Sequence, residues 1–462
     1  MAKLKCHVII VAYPAQGHIN PLLQFAKRLA SKGLKATLAT TPYTINSIQA
    51  SPAVGIEPIS DGFDEGGFNQ ASSVEAYLES FKTTGSRTLT ELILKFNATG
   101  FPISCIVYDS LLTWVLDVAT RLRVYSALFL TNSASVCSMY WHFDKGVLDF
   151  PVKKETLPVS FPGLPPLGFF DLPSFLAFPT NHSAYLDAVF DGFHCLDETD
   201  WVFCNSFEDL EIELVKAMNG LWPVVMVGPM VPSAYLDQQI DGDTAYGASL
   251  WETETDQCLK WLDTKPSQSV IYVSFGSMAN ISAKQVEEMA WGLKASNRPF
   301  LWVIKESENK LPVDFLDSVG EIGLVVSWCN QLEVLTHQAI RCFVSHCGWN
   351  STLEALSVGV PMVCVTQWSD QPTNAKFVED VWKVGVRGKK DEEGIITREE
   401  LEKCLKEVMG GERNREIKTN AYKWRDAAKK AVSMGGSSDT NINQFVSKLL
   451  IGKEAELSFC SK

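Results

Sequence analysis

Short runs of apolar and β-branched residues alternate with longer amphipathic stretches through the first half of the sequence, break off, and then begin again. That alternation is the pattern of parallel strands whose helical crossovers cover both faces of a sheet. The first series predicts strands at Cys6 to Tyr13, Lys35 to Thr41, Ile103 to Asp109, Tyr125 to Thr131 and Trp201 to Asn205. The second predicts them at Ser269 to Phe275, Phe300 to Ile304, Gly323 to Trp328, Cys342 to His346 and Pro361 to Thr366. Between the series, Val231 to Ser249 is rich in Asp, Gly, Gln and Ser and lacks apolar periodicity, as a linker does. A chain of 462 residues also exceeds one ordinary core. The expectation is an α/β protein with two doubly wound parallel-sheet domains, residues 1–232 and 250–435, joined by a linker at 233–249. The cleft between the two sheets is the expected active site.

Charge and composition exclude several classes. With 41 basic against 54 acidic residues the net charge is -13, which repels nucleic acid and anionic membrane surfaces. Apolar runs near the start, such as Val8 to Ala12, are too short to span a bilayer, and no charged segment precedes a signal-type core. A cytoplasmic protein without a membrane span is expected. Twelve cysteines, several inside apolar runs, read as buried hydrophobes in a reducing compartment. Without a secretory signal, the sequons at Asn97, Asn181, Asn280 and Asn350 read as chance matches. The Pro- and Phe-rich stretch from Pro151 to Pro179 reads as an irregular loop over the cleft or as plain packing. The dense mixed charges from Asp391 to Lys430 read as solvated helix faces.

The first strand runs into Tyr13-Pro14-Ala15-Gln16-Gly17-His18-Ile19-Asn20-Pro21, where Asn20 suits an N-cap and Pro21 a first helical position. His18 then lies on a loop at a strand's carboxyl end, where open α/β sheets place their ligand crevice. An imidazole there suits a general base, although a lone loop histidine also serves purely structural ends. Asp109 ends another strand at the same edge and offers it a partner, or caps the helix expected near Ser110.

In the second half, His346-Cys347-Gly348-Trp349-Asn350-Ser351-Thr352-Leu353-Glu354 follows a strand. Gly348 allows a close backbone approach, and Asn350 and Ser351 open a short helix whose N-terminus can hold a diphosphate. Glu354 is either a ligand contact or the acidic member of a capping box with Ser351. Phe275-Gly276-Ser277 is a second strand-end turn able to add a phosphate contact. His337, Cys342, His346 and Cys347 lack paired zinc spacing, and Asp241-Gly242-Asp243 reads as a turn rather than a metal motif, so no metal is expected. Dinucleotide, P-loop and serine-hydrolase signatures are absent from the sequence.

The 44 residues from Trp328 to Gln371, with the PAQGHINP segment, the VYD strand end and the FGS turn, resemble plant family-1 UDP-glycosyltransferases and their secondary-product glycosyltransferase box. The resemblance implies a GT-B fold of two Rossmann-like domains, with a tail at 436–462 crossing back to the first domain. It implies that Trp328 stacks on uracil, the Cys329 backbone pairs with the uracil edge, and Gln331 and Glu354 hold ribose hydroxyls. It assigns phosphate contacts to Ser277, His346, Gly348, Asn350 and Ser351, and sugar contacts to Trp349, Asp370 and Gln371. A terminal Gln is similar to glucose users. Thr366 stands where the family usually has Pro, from which a small loop shift is expected.

The implied activity is inverting, metal-independent transfer of glucose from UDP-glucose by a monomer, with no cofactor, and with His18 as base steadied by Asp109. A steroid, terpenoid or phenolic hydroxyl is the expected acceptor, as in plant secondary metabolism, and a carboxylate the alternative. Tyr13, Met139, Trp141, Phe143 and Phe178 are candidates for its apolar pocket, though core packing explains each equally well. A binder of UDP-sugar or lipophilic ligand that has lost turnover is the alternative of another class, against which the presence of both His18 and Asp109 stands.

Overall fold

The computed structural model describes residues 6–49, 52–153, 157–179, 183–278, 281–305 and 311–460. The sequons Asn181 and Asn280 lie outside them. Every expected strand is present within a residue or two at its ends. β1 (His7–Val11), β2 (Lys35–Thr40), β3 (Val54–Pro58), β4 (Ile103–Asp109), β5 (Tyr125–Leu130), β6 (Trp201–Cys204) and β7 (Val224–Met226) form a seven-stranded sheet ordered β3-β2-β1-β4-β5-β6-β7. β8 (Val270–Ser274), β9 (Phe300–Val303), β10 (Gly323–Val326), β11 (Ile340–Ser345), β12 (Met362–Cys364) and β13 (Gly385–Arg387) form a six-stranded sheet ordered β10-β9-β8-β11-β12-β13. All pairings are parallel. Helices cover both faces, so central strands such as β1 and β8 are buried at each residue and read as unbroken apolar runs.

Strand order decides where the chemistry sits. In the first sheet the chain winds outward from β1 to β3 and then returns to β4 on the other side of β1. In the second it winds outward from β8 to β10 and returns to β11 beside β8. Crossovers leave opposite faces at these two reversals, which opens a crevice beyond the carboxyl ends of the strands. His18 follows β1 and Asp109 ends β4, whereas Ser277 follows β8 and His346 follows β11.

The first helix, α1 (Gln16–Ser31), starts earlier than Asn20-Pro21 indicated. Ala15 O accepts from His18 N and Ile19 N, both at 2.9 Å, so the turn winds before Asn20, and Pro21 lies inside the helix. His18 therefore occupies the first turn of α1 rather than a loop. Farther along, the polar side of α1 is a fastening: Lys27 Nζ donates to Asp243 at 2.8 Å, Gln24 Nε2 to the same carboxylate at 2.6 Å, and Arg28 to Asp237 at 2.9 Å. Lys32 pairs with Asp439. Gly242 does turn, at φ 71°, but Asp243 is more than a turn residue, since it is buried in these contacts.

The segment after Pro151 joins the cleft wall. Ser174 N donates to Ser369 O at 2.8 Å, and Ser369 N returns a bond to Ser174 Oγ at 2.7 Å. The last helix, Ser437–Cys460, lays Ile442, Phe445 and Leu449 into the core beneath β1, with Phe445 edge-on to Trp201 and Phe203, each at 5.0 Å.

Candidate active site

A cavity of about 910 Å³ occupies the space between the two strand reversals and is lined by both halves of the chain. On the first side, His18 Nδ1 donates to Asp109 Oδ2 at 2.7 Å. Asp109 is fully buried and also serves its own turn, because Oδ1 accepts from Leu111 N at 3.0 Å. The cap reading of Asp109 is not met, because the next helix, Trp114–Leu122, begins after Thr113 and Oδ1 only closes the turn at Leu111; the pairing with His18 is the contact that the other oxygen makes. With Nδ1 occupied as donor, Nε2 is the basic nitrogen. Burial works to lower the His18 pKa, but the charge and hydrogen bond of Asp109 outweigh it and hold the pKa above 6.5.

On the second side, Gly348 precedes the helix Trp349–Val358, whose N-terminus opens on the cavity. Asn350 Nδ2 reaches across and donates to Gly17 O at 2.7 Å. His346 is packed between two glycines: a Cβ on Gly348 would lie 2.5 Å from its Nε2, and one on Gly276 would lie 2.8 Å from its ring. Those glycines make room for the imidazole as much as for any ligand. Burial drives the His346 pKa down to about 4, so near neutrality the ring is an uncharged hydrogen-bonding group.

Glu354 takes no part in a capping box. Its carboxylate accepts from Gln331 Nε2 at 2.6 Å and from Tyr246, and burial raises its pKa to about 7. Gln331 Nε2 also donates to Ser351 Oγ at 2.8 Å, which gathers three of the expected donor residues into one cluster. Trp328 is half-buried and lies 4.5 Å from the ring of Trp251, while Cys329 is buried beside Tyr272. Ser277 lines the cavity. Asp370 accepts from Asn374 Nδ2 at 2.7 Å, and burial raises its pKa to about 6. Gln371 Oε1 accepts from Gln367 N and Trp368 N. The Trp349 indole packs against Trp382, and its N–H donates to Asn205 O at 2.6 Å, tying the two halves together.

The acceptor candidates need correction. Tyr13 lines the cavity, edge-on to His18 at 5.3 Å, but Met139, Trp141, Phe143 and Phe178 do not. Met139, Trp141 and Phe143 share the helix Ala134–Asp144 with Cys137, which does line the cavity, yet Met139 and Phe143 are buried in the core. Trp141 packs edge-on against His142 at 5.0 Å, and Phe178 is exposed beside Phe169. Phe175, Tyr185, Val189, Phe193 and Trp368 supply the apolar wall instead. Tyr185, Val189 and Phe193 recur at helical spacing on Ser183–His194, a stripe visible in sequence but indistinguishable there from core. Tyr246 and Trp251 were also missed, standing at the end of a polar linker with no periodicity to mark them.

Among the described residues, no cluster of three or more His, Cys, Asp and Glu side chains is placed to hold a metal, and no helix is long and apolar enough to cross a membrane.

Residues 248–424 match the family model of UDP-glucoronosyl and UDP-glucosyl transferase, and residues 5–54 match that of the glycosyltransferase N-terminal domain. The chain is 49% identical to UDP-glycosyltransferase 74B1 of Arabidopsis thaliana, covering 97% of this chain and 98% of that protein. It is 47% identical to flavonol 7-O-beta-glucosyltransferase UGT74F1 of the same plant, over 98% and 100%. The structure of Os79 from O. sativa in complex with UDP superposes with a TM-score of 0.91 at 39% identity, over 96% of this chain and all of that one. With nearly half its residues shared along almost the full length of two plant enzymes, and a UDP-bound GT-B fold reproduced across both sheets, the chain belongs to the plant family-1 UDP-glycosyltransferases.

Proposed function

We propose that the enzyme transfers glucose from UDP-glucose, with inversion, to a hydroxyl on a small lipophilic acceptor. The observation that carries this reading is the His18–Asp109 pair, whose free Nε2 shares a cavity with the helix N-terminus of the opposite half. His18 removes the acceptor proton, the oxygen attacks the anomeric carbon, and UDP leaves with charge growing on its β-phosphate. That charge meets the N–H groups at Trp349–Ser351, so the step needs no divalent ion. Trp328, Cys329 and Gln331 with Glu354 receive the nucleoside, Ser277, His346, Gly348, Ser351 and the backbone N–H of Asn350 the diphosphate, and Trp349, Asp370 and Gln371 the sugar.

The cavity's charges favour a neutral acceptor over a carboxylate. Its described lining contains no lysine or arginine but includes Glu252, Asp256, Glu354 and Asp370, so an anionic acceptor finds only protonated His18 to pair with. An apolar wall of Phe175, Tyr185, Phe193 and Trp368 suits an aromatic or terpenoid skeleton, and a relative named for a flavonol 7-O position supports the phenolic choice. We read the chain as two functional halves divided near residues 233–249, acting as a monomer in the cytoplasm, where its eleven described cysteines, all free, stay reduced. The test is UDP release from UDP-glucose over a panel of phenols, terpenoid alcohols, steroids and aromatic acids. His18→Ala should lower turnover of the best hydroxyl acceptor about 10²–10⁴-fold while UDP affinity holds. Turnover that survives His18→Ala, or a clear preference for aromatic acids, would overturn the hydroxyl reading.

A further inference from the structure

α1 continues through Pro21, which has no N–H to give to the carbonyl four residues back, that of Gly17. The proline ring also crowds that carbonyl away from the helix axis. Its oxygen is met from the other half of the chain, where Asn350 Nδ2 donates to it at 2.7 Å. Asn350 is the second residue of the helix whose N-terminus faces the cleft, and Gly17 immediately precedes His18. Neighbouring contacts fasten the same turn: Gln16 Oε1 accepts from Leu250 N at 3.4 Å, and His18 is held by Asp109.

We propose that Asn350 is a positioning residue for the transfer. Through the carbonyl that Pro21 frees, its amide fixes the turn carrying His18 against the helix that receives the donor diphosphate. The imidazole is thereby set at a defined distance from the anomeric carbon, and the backbone N–H groups of the helix carry the main phosphate contact. The inference rests on His18 acting as the base.

Two substitutions attack the same bond from opposite ends. Asn350→Ala removes the donor, and Pro21→Ala supplies an internal N–H that competes for the Gly17 oxygen. Transfer is read as UDP release from UDP-glucose with naphthol and with whichever panel member the unmodified enzyme uses best, and UDP affinity by calorimetry. Each single variant should lower kcat by about tenfold to a hundredfold while the UDP Kd moves by less than about threefold. The double variant should be no worse than the poorer single one, because both act through one contact. Alanine favours a helix interior, so Pro21→Ala stays readable even if Asn350→Ala is unstable. Unchanged kcat in Pro21→Ala, losses that multiply in the double variant, or a UDP Kd that worsens as much as kcat falls would each overturn the proposal. Full transfer by His18→Ala would instead sink the base assignment, whatever the coupling between Asn350 and Pro21.

Discussion

At His18 two opposed effects act on one imidazole. Burial disfavours its charged form, whereas Asp109 at 2.7 Å favours it and prevails, so the folded pKa lies above 6.5. Because only the neutral ring accepts a proton, transfer to a hydroxyl should rise with pH through an apparent pKa above 6.5. Asp109→Asn removes the favouring charge but leaves the burial, so that limb should shift to lower pH while the plateau rate falls about 10²–10⁴-fold. A pH profile that Asp109→Asn leaves in place would refute the pairing. The same shift bears on stability: the pair stabilises the fold below pH 6.5, and this contribution is lost as pH rises through the raised folded value. Gly348 offers another residue-scale test, since its alanine Cβ would lie 2.5 Å from His346 Nε2 and push the ring out of place. Gly348→Ala should weaken UDP binding about tenfold by calorimetry with little change in melting temperature. His18 and Asp109 were legible in sequence because strand ends announce themselves. The bond from Asn350 to Gly17 was not, since it joins positions 333 apart.

Elements were legible where the chain is buried on both faces for several residues. β1, β4 and β8 are such runs, whereas β3 carries Gly55 and Pro58 and is half-exposed, and β7 and β13 are three-residue strands that, unlike the equally short β12, are not buried throughout. The start of α1 was misplaced because Asn20-Pro21 imitates a cap, and only the 2.9 Å bonds to Ala15 O reveal the earlier turn. The helix Trp349–Val358 also carries a measurable cost. It buries Glu354, whose pKa of about 7 exceeds the ordinary 4.5, and the folded state therefore binds more protons than the unfolded chain between those values. Stability of the ligand-free enzyme should fall as pH rises across that window, with Glu354 contributing on the order of 3 kcal/mol. Glu354→Gln should flatten the dependence of melting temperature on pH between 4.5 and 7. A slope unaltered by the substitution would place the proton elsewhere.

For the whole molecule, the restart of the strand series was enough to foresee two sheets facing a cleft, because each series needs its own reversal and each reversal opens a crevice. What the pattern lacks is any statement of how the linker is held, and the polar stripe of α1, which pairs with Asp237 and Asp243, supplies it. Lys27 and Asp243 are 8% and 2% exposed in their side chains, and Asp243 further accepts from Gln24 Nε2 and Ser233 N. A charge buried this far is tolerated only while it is paired. Asp243→Ala leaves Lys27 without its partner carboxylate and should destabilise the enzyme by about 3–5 kcal/mol, whereas Lys27→Met with Asp243→Leu removes both charges and should recover much of that loss. Urea unfolding followed by tryptophan fluorescence would measure both variants. The α1 turn with His18 lies on the same helix, so the single variant should also lower kcat more than it raises the UDP Kd. An Asp243→Ala enzyme as stable as the unmodified one would show that the linker merely spans the halves and is not locked to the first.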